Sequence, residues 1–191
     1  MPGPKPSIPP CPAIDHQRAK QYNVSGANAG GSTTKRNTSL FIQICVIGCF
    51  ARSVYHLGPN GAGARTKLII NHVLGLNRLA LAEGLVAGMK AKVDMETLLE
   101  VLKDSAAYSK AMDQRGQIMI RADYGNPISR IRQHHKDVRL ILEQGQKLGS
   151  PMPLEQVHQQ VLQAAEMNGL ADADTGAIIE VLRRLAGIPS R

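Results

Sequence analysis

The sequence predicts an all-α domain, a bundle of about six helices around one long helix, preceded by a poorly ordered N-terminal segment with at most a short strand pair. Three observations carry this. From Ala62 onward, apolar residues recur at helical spacing in successive segments. Short connections carrying Asp, Gly and Pro separate those segments. The start of the chain shows no such period: six of the first twelve residues are proline, and 25–39 is rich in Ser, Gly, Asn, Thr and Lys.

Each element follows from local chemistry. Residues 40–50, LFIQICVIGCF, form an apolar run that suits a buried strand or a short helix equally. Ser53 to Leu57 reads as a strand entering the turn GPNGAG. The long helix is expected from Ala62 to about Met89. Its Ile69, Ile70, Val73, Leu74, Leu76, Leu79, Leu81 and Val86 crowd more than one face, so several neighbours should pack on it. Gly75, Gly84 and Gly88 each weaken it by up to ~1 kcal/mol against Ala, a cost that close approach of other helices should offset. Asp94 is placed to cap METLLEVLKDS, whose Met95, Leu98, Leu99 and Leu102 share a face. Further helices are expected near 108–121, before the turn DYGNP, and over 129–148, stopped by Gly149. The last two are 153–168, opened by Pro153 and ended by Gly169, and 174–186, closed by Gly187 and Pro189. This divides the chain into an irregular segment, 1–51, and a helical domain, 52–191.

Composition narrows the function. No apolar run approaches the ~18 residues of a membrane span, so no membrane is expected as a partner. Three cysteines, Cys11, Cys45 and Cys49, suit neither a disulfide framework nor a zinc site, and point to a reducing, cytoplasmic setting. No His, Cys or carboxylate set has metal-ligand spacing, and His134 and His135, adjacent on a helix, point about 100° apart. The net charge of +8 is concentrated in residues 1–66, which hold seven Lys/Arg and one acid. A basic arm can bind nucleic acid electrostatically. With no Trp and 3% aromatics, stacking platforms are nearly absent, and the solvated arm is the favoured reading.

The chemistry centres on GPNGAGARTKLIINH. Gly61 and Gly63 lead into a helix whose free N–H groups can meet an anion, although neither common phosphate fingerprint is matched. Lys67 and Asn71 lie four apart on one face at the start of that helix. A lysine placed in a helix's first turn is expected to be held below its ordinary pKa, as a general base near neutral pH requires. The neighbouring amide can both donate to and accept from a hydroxyl or carboxylate. From spacing alone, an exposed lysine with a nearby Asn is the favoured reading. Lys136 and Asp137 form either a cofactor contact or a surface pair.

Taken together, HLGPNGAGARTKLIINHVLG, LAEGLVAGMKAKVDMETLLEVL, HHKDVRLILEQGQKLGSPMPLEQV and GLADADTGAIIEVLRRL resemble, in order, the C-terminal half of the β-hydroxyacid dehydrogenases. This family includes 3-hydroxyisobutyrate dehydrogenase and the glyoxylate and tartronate semialdehyde reductases, and is related to 6-phosphogluconate dehydrogenase. The likeness covers about residues 52–187. It implies that the long helix is an interdomain helix and that the cofactor is NAD or NADP. It implies hydride transfer between that cofactor and a small hydroxy acid or its semialdehyde or keto form. Lys67 then resembles the catalytic lysine, Asn71 the substrate-binding asparagine and Lys136 the lysine near the nicotinamide. Gly61 and Gly63 resemble the turn that delivers the helix to the cleft. Ser25 and Gly26 align with the family's substrate loop, where Ala27 replaces a glycine. The family often has a second Asn after the first. Here it is His72, a change expected to alter the substrate pocket. No G-x-G-x-x-G follows a strand, so a chain incomplete by itself is expected. The alternative is a non-catalytic helical oligomerisation module. In either case a homo-oligomer is expected.

Overall fold

In the computed structural model of the chain, residues 55–189 are described. The chain divides into two units, Met1–Pro59 and Asn60–Arg191, and the architecture below is that of the second. It is all-helical. The element order is α1 (Ala62–Lys90), α2 (Met95–Asp104), α3 (Lys110–Arg121), α4 (Ile131–Leu148), α5 (Pro153–Met167), a 3-10 turn (Thr175–Ile178) and α6 (Ile179–Leu185).

α1 has 29 residues, a rod of roughly 43 Å at 1.5 Å per residue. Every other helix packs on it. Leu81, Ala82, Leu85 and Val86 of α1 form one core with Leu99 of α2, Met119 of α3, Val138 of α4, Leu162 of α5 and Ile178 and Ile179 near the C-terminus. The N-terminal half of α1 is different. Ile69, Ile70 and Val73 stand half or more exposed.

Local rules account for the boundaries. Asp94 caps α2, its carboxylate accepting from the Thr97 amide at 2.9 Å. That bond holds the Asp94 carboxyl below its ordinary range. Pro153 opens α5 where its missing N–H costs no hydrogen bond. Gly149, at φ 65°, ends α4 in the left-handed region that glycine tolerates best. Two glycines of α1 sit at close crossings. A β-carbon at Gly75 would lie 2.6 Å from His158 Cε1 and 2.7 Å from His134 Nε2. One at Gly88 would run into the Leu98 side chain.

Three expectations change. Gly84 meets nothing within 4 Å, so no crossing helix accounts for it. The segment expected as one helix over 174–186 is broken in two. The Asp174 carboxylate accepts from the Gly176 amide at 2.8 Å, and the Asp174 carbonyl accepts from the Ala177 amide. These bonds tighten the first turn to 3-10 geometry before the α-helix begins at Ile179. The strand expected over 53–57 does not form over its described part, Tyr55–Leu57, although the turn after it does. No strand among the described residues offers it a ladder of hydrogen bonds. Among the same residues, no helix is long and apolar enough to cross a membrane.

The two kinds of glycine in α1 should respond oppositely to one methyl group. Gly75→Ala should destabilise the domain by about 1–3 kcal/mol through overpacking against the two imidazoles. Gly84→Ala should leave stability unchanged or raise it by up to about 1 kcal/mol. Urea denaturation of the two variants checks the opposite signs.

Candidate active site

Gly61 supplies the left-handed residue, φ 89°, that starts α1. The helix has neither a side-chain cap nor an acidic residue in its first turn. Its positive end is therefore open to an anion. Gly63 lies in the first turn, with free space where a β-carbon would be. Lys67 is the sixth residue of α1, in its second turn and not its first. The field of the helix end falls off over that distance. Lys67 is exposed.

One turn further, Asn71 is half-buried. Its Nδ2 donates to Asp137 Oδ2 of α4 at 3.1 Å. The bond fixes the orientation of the amide, with the nitrogen turned to the carboxylate and the oxygen left as an acceptor. Lys136 precedes Asp137 on α4 and is exposed. The structure thus brings Asn71 and Asp137 into contact between the helix that carries Lys67 and the helix that carries Lys136. Ser25 and Gly26 lie outside the described residues.

His72, one residue after Asn71, points about 100° away around the helix. Its Nδ1 lies 2.8 Å from Glu155 Oε2 of α5. His135 likewise faces away, 3.0 Å from Glu166.

Asn71 and Asp137 also line a cavity of about 250 Å³. α1 contributes Leu74 and Arg78, in the same row as Asn71. α3 contributes Gln114 and Arg115, and α4 contributes Gln133 and His134. Ser129, just before α4, completes the lining. The two arginines are both buried but differently bound. Arg115 is paired with an anion: Nε faces Asp174 at 2.9 Å and Thr175 Oγ1 at 3.3 Å, Nη1 donates to the Gln114 carbonyl and Nη2 to Ser129 Oγ. Arg78 has a neutral partner, His134 Nε2 at 3.0 Å from its Nη2. Burial, then the charge of Arg115, pushes its guanidinium down to about 10. Burial, reinforced by Arg78, His158 and His135, pushes His134 down to about 2. The imidazole is therefore neutral and accepts from Arg78 through Nε2.

Sequence reasoning named Lys67, Asn71 and Lys136 but missed Asp137 as the partner of Asn71, and missed the cavity. A signal was present. Asn71, Leu74 and Arg78 follow at four, seven and eleven residues from Lys67, which is one face of a helix.

The all-helical domain described above is similar to known proteins in sequence and in fold. Residues 61–182 match the family described as the NAD-binding domain of NADP-dependent 3-hydroxyisobutyrate dehydrogenase. The chain belongs to the β-hydroxyacid dehydrogenase family and covers its C-terminal part. NAD or NADP is the cofactor of that family. The 2-(hydroxymethyl)glutarate dehydrogenase of Eubacterium barkeri is 32% identical over 167 residues, 85% of this chain and 55% of that protein. The glyoxylate/succinic semialdehyde reductase 1 of Arabidopsis thaliana is 32% identical over 129 residues, 68% of this chain and 44% of that protein. The crystal structure of 3-hydroxyisobutyrate dehydrogenase from Salmonella typhimurium matches with a TM-score of 0.68 at 25% identity, over 72% of this chain and 48% of that one. The chain thus spans about half the length of the relatives it matches.

The state of His134 gives the domain a pH dependence with a definite sign. Folded, the ring stays neutral down to about pH 2, whereas an unfolded histidine takes up a proton below its ordinary value of 6.5. Between those values the unfolded chain binds the extra proton, so stability is full above pH 6.5 and falls on acidification. At pH 5 the loss should be about 2 kcal/mol from this residue. His134→Gln, which keeps an acceptor for Arg78, should lose clearly less between pH 7 and 5 in urea titrations. An equal loss in both proteins would contradict the assignment.

Proposed function

We propose that this chain carries the proton-transferring side of an NAD- or NADP-dependent oxidoreductase acting on a small hydroxy acid or its semialdehyde or keto form. One observation carries the reading. Lys67 and Asn71 are one turn apart on α1, and Asn71 is fixed by Asp137 on α4, beside Lys136. In the oxidative direction, the Lys67 amine takes the proton of the substrate hydroxyl. The C–H bond breaks with its electron pair leaving as hydride, and a carbonyl forms. In reduction, the lysine returns the proton to the oxygen. Asn71 Oδ1 orients the hydroxyl, and Asp137 holds the amide in the geometry to do so. When bound, the nicotinamide supplies the site that takes or gives the hydride. The donor set suits an anionic dinucleotide. It comprises the uncapped positive end of α1 at Gly61 and Gly63, with no acidic residue in the first turn, and the exposed Lys136. The names of the relatives, a hydroxymethyl diacid dehydrogenase and a glyoxylate and semialdehyde reductase, support the same substrate range.

The division into an N-terminal segment, 1–51, and a helical domain, 52–191, belongs to this proposal, as does a homo-oligomer. Ile69, Ile70 and Val73 leave an apolar stripe beside Lys67. Covering it would also exclude water from the lysine. A second reading, a non-catalytic assembly module of the same descent, rests on that stripe alone. Light scattering on the full chain tests the assembly, and a strict monomer contradicts both the oligomer and the second reading.

The catalytic reading is tested by titrating NADPH and NADH calorimetrically into the full chain and by measuring turnover of short 2- and 3-hydroxy acids. Lys67→Ala should cut kcat by about 10²–10⁴-fold, the usual worth of general acid–base catalysis, while leaving cofactor affinity nearly unchanged. Lys136→Ala should do the reverse. Absence of both cofactor binding and turnover in a folded wild-type chain would overturn the reading for the isolated chain.

A further inference from the structure

We propose that the cavity lined by Asn71 is a carboxylate subsite built on Arg78, so that the substrate of this chain is a dicarboxylate: a hydroxy diacid, or the semialdehyde or keto form derived from one. The proposal rests on the oxidoreductase reading, because it takes the reacting hydroxyl to lie beside Lys67 and Asn71.

The first argument is the unmet charge. Arg78 is 6% exposed, and a buried guanidinium is costly unless an anion faces it. Its hydrogen bond goes to the neutral His134. Asp174 and Glu155 act on it only from a distance: Asp174 pairs with Arg115, and Glu155 faces His72 and His158. Among the described residues no carboxylate forms an ion pair with Arg78. Arg78 is among the residues that line the cavity.

The second argument is room and reach. A volume of about 250 Å³ is far more than one ordered water requires. Asn71 and Arg78 are seven residues apart on α1, so their backbones are separated by about 10 Å. The arginine side chain leans toward the N-terminus of its helix and shortens that span. An aliphatic diacid of four or five carbons can therefore place a reacting carbon near Asn71 and a far carboxylate on Arg78.

The third argument is charge balance. The titratable groups facing the cavity are Arg78, Arg115, His134 and Asp137. Arg115 is neutralised by Asp174, and His134 is uncharged. Asp137 is bonded to Asn71, so a carboxylate brought by a ligand is what would face Arg78.

The test needs neither turnover nor cofactor. Glutarate, its uncharged diamide glutaramide and inorganic phosphate are titrated calorimetrically into the full-length chain and into Arg78→Met. Wild-type protein should bind glutarate at least about tenfold more tightly than glutaramide or phosphate, as a charge-assisted contact implies. That preference should vanish in Arg78→Met, which replaces the guanidinium by an apolar side chain of similar length. Should the variant fail to fold, histidine-selective NMR of the wild type decides. The His134 ring, bonded to Arg78, should shift with glutarate and not with glutaramide. Equal binding of glutarate and glutaramide, a preference that survives Arg78→Met, or phosphate binding as tight as glutarate would each overturn the subsite. The last result would mark a free-anion site. Retained glutarate selectivity in a chain that neither binds NAD(P)H nor turns over would overturn the oxidoreductase reading and leave the subsite standing.

Discussion

The crossing at Gly75 is the constraint on which the rest of the site depends. A backbone without a side chain lets α1 come within contact distance of His134 on α4 and His158 on α5. One turn before that point, Asn71 reaches Asp137. One turn after it, Arg78 reaches His134. Both interactions join the same two helices, and both have the reach they do because the helices are pinned at the glycine between them. The two imidazoles stack obliquely there, with ring centroids 5.2 Å apart and planes at 49°. A methyl group at Gly75 would act on the spacing of the whole polar face and not only on local packing.

Electrostatics divides that face into a settled part and an unsettled one. Asp174 is the settled centre. It accepts from Arg115, Gly176 and the Ile128 amide, so it locks α3 to the segment that leads into α6. Glu155 does similar work on the other side of α1, with its Oε2 2.8 Å from His72 and 3.5 Å from His158. A further set, the half-buried Tyr124 with the buried Glu180 and Arg183, ties the turn after α3 to α6. The tyrosine donates to the carboxylate at 2.7 Å, and the guanidinium meets the same oxygen at 3.0 Å. Burial and that bond push the Tyr124 hydroxyl up. Against this background of paired groups, Arg78 stands out because a neutral ring is what answers it.

Most of the fold was legible because helix ends are written in short-range chemistry. Asp94, Pro153, Gly149 and Gly187 each act within a turn of where they sit, and α1 begins at Ala62 as expected. The expected strand and the final helix failed for the opposite reason. A strand needs a partner from elsewhere in the chain. The 3-10 turn at Thr175 depends on Asp174 being held from α3 and the loop before α4. The site divides along the same line. Lys67 and Asn71 are neighbours on one helix, and their spacing reveals them. Asp137 is 66 residues from Asn71, and nothing local to either announces the contact. His72, next to Asn71 in sequence, meets a different carboxylate, Glu155, on a different helix.

Lys67 is exposed and neighbours an apolar stripe, Ile69, Ile70 and Val73, that is itself half or more exposed. This end of α1 differs from the C-terminal half, whose Leu81, Ala82, Leu85 and Val86 are buried in the core. A layer covering the stripe would also cover the lysine, and charges in drier surroundings interact more strongly. The proposed chemistry of Lys67 therefore depends on what packs over the N-terminal half of α1, whereas the bond between Asn71 and Asp137 is complete within the helical unit.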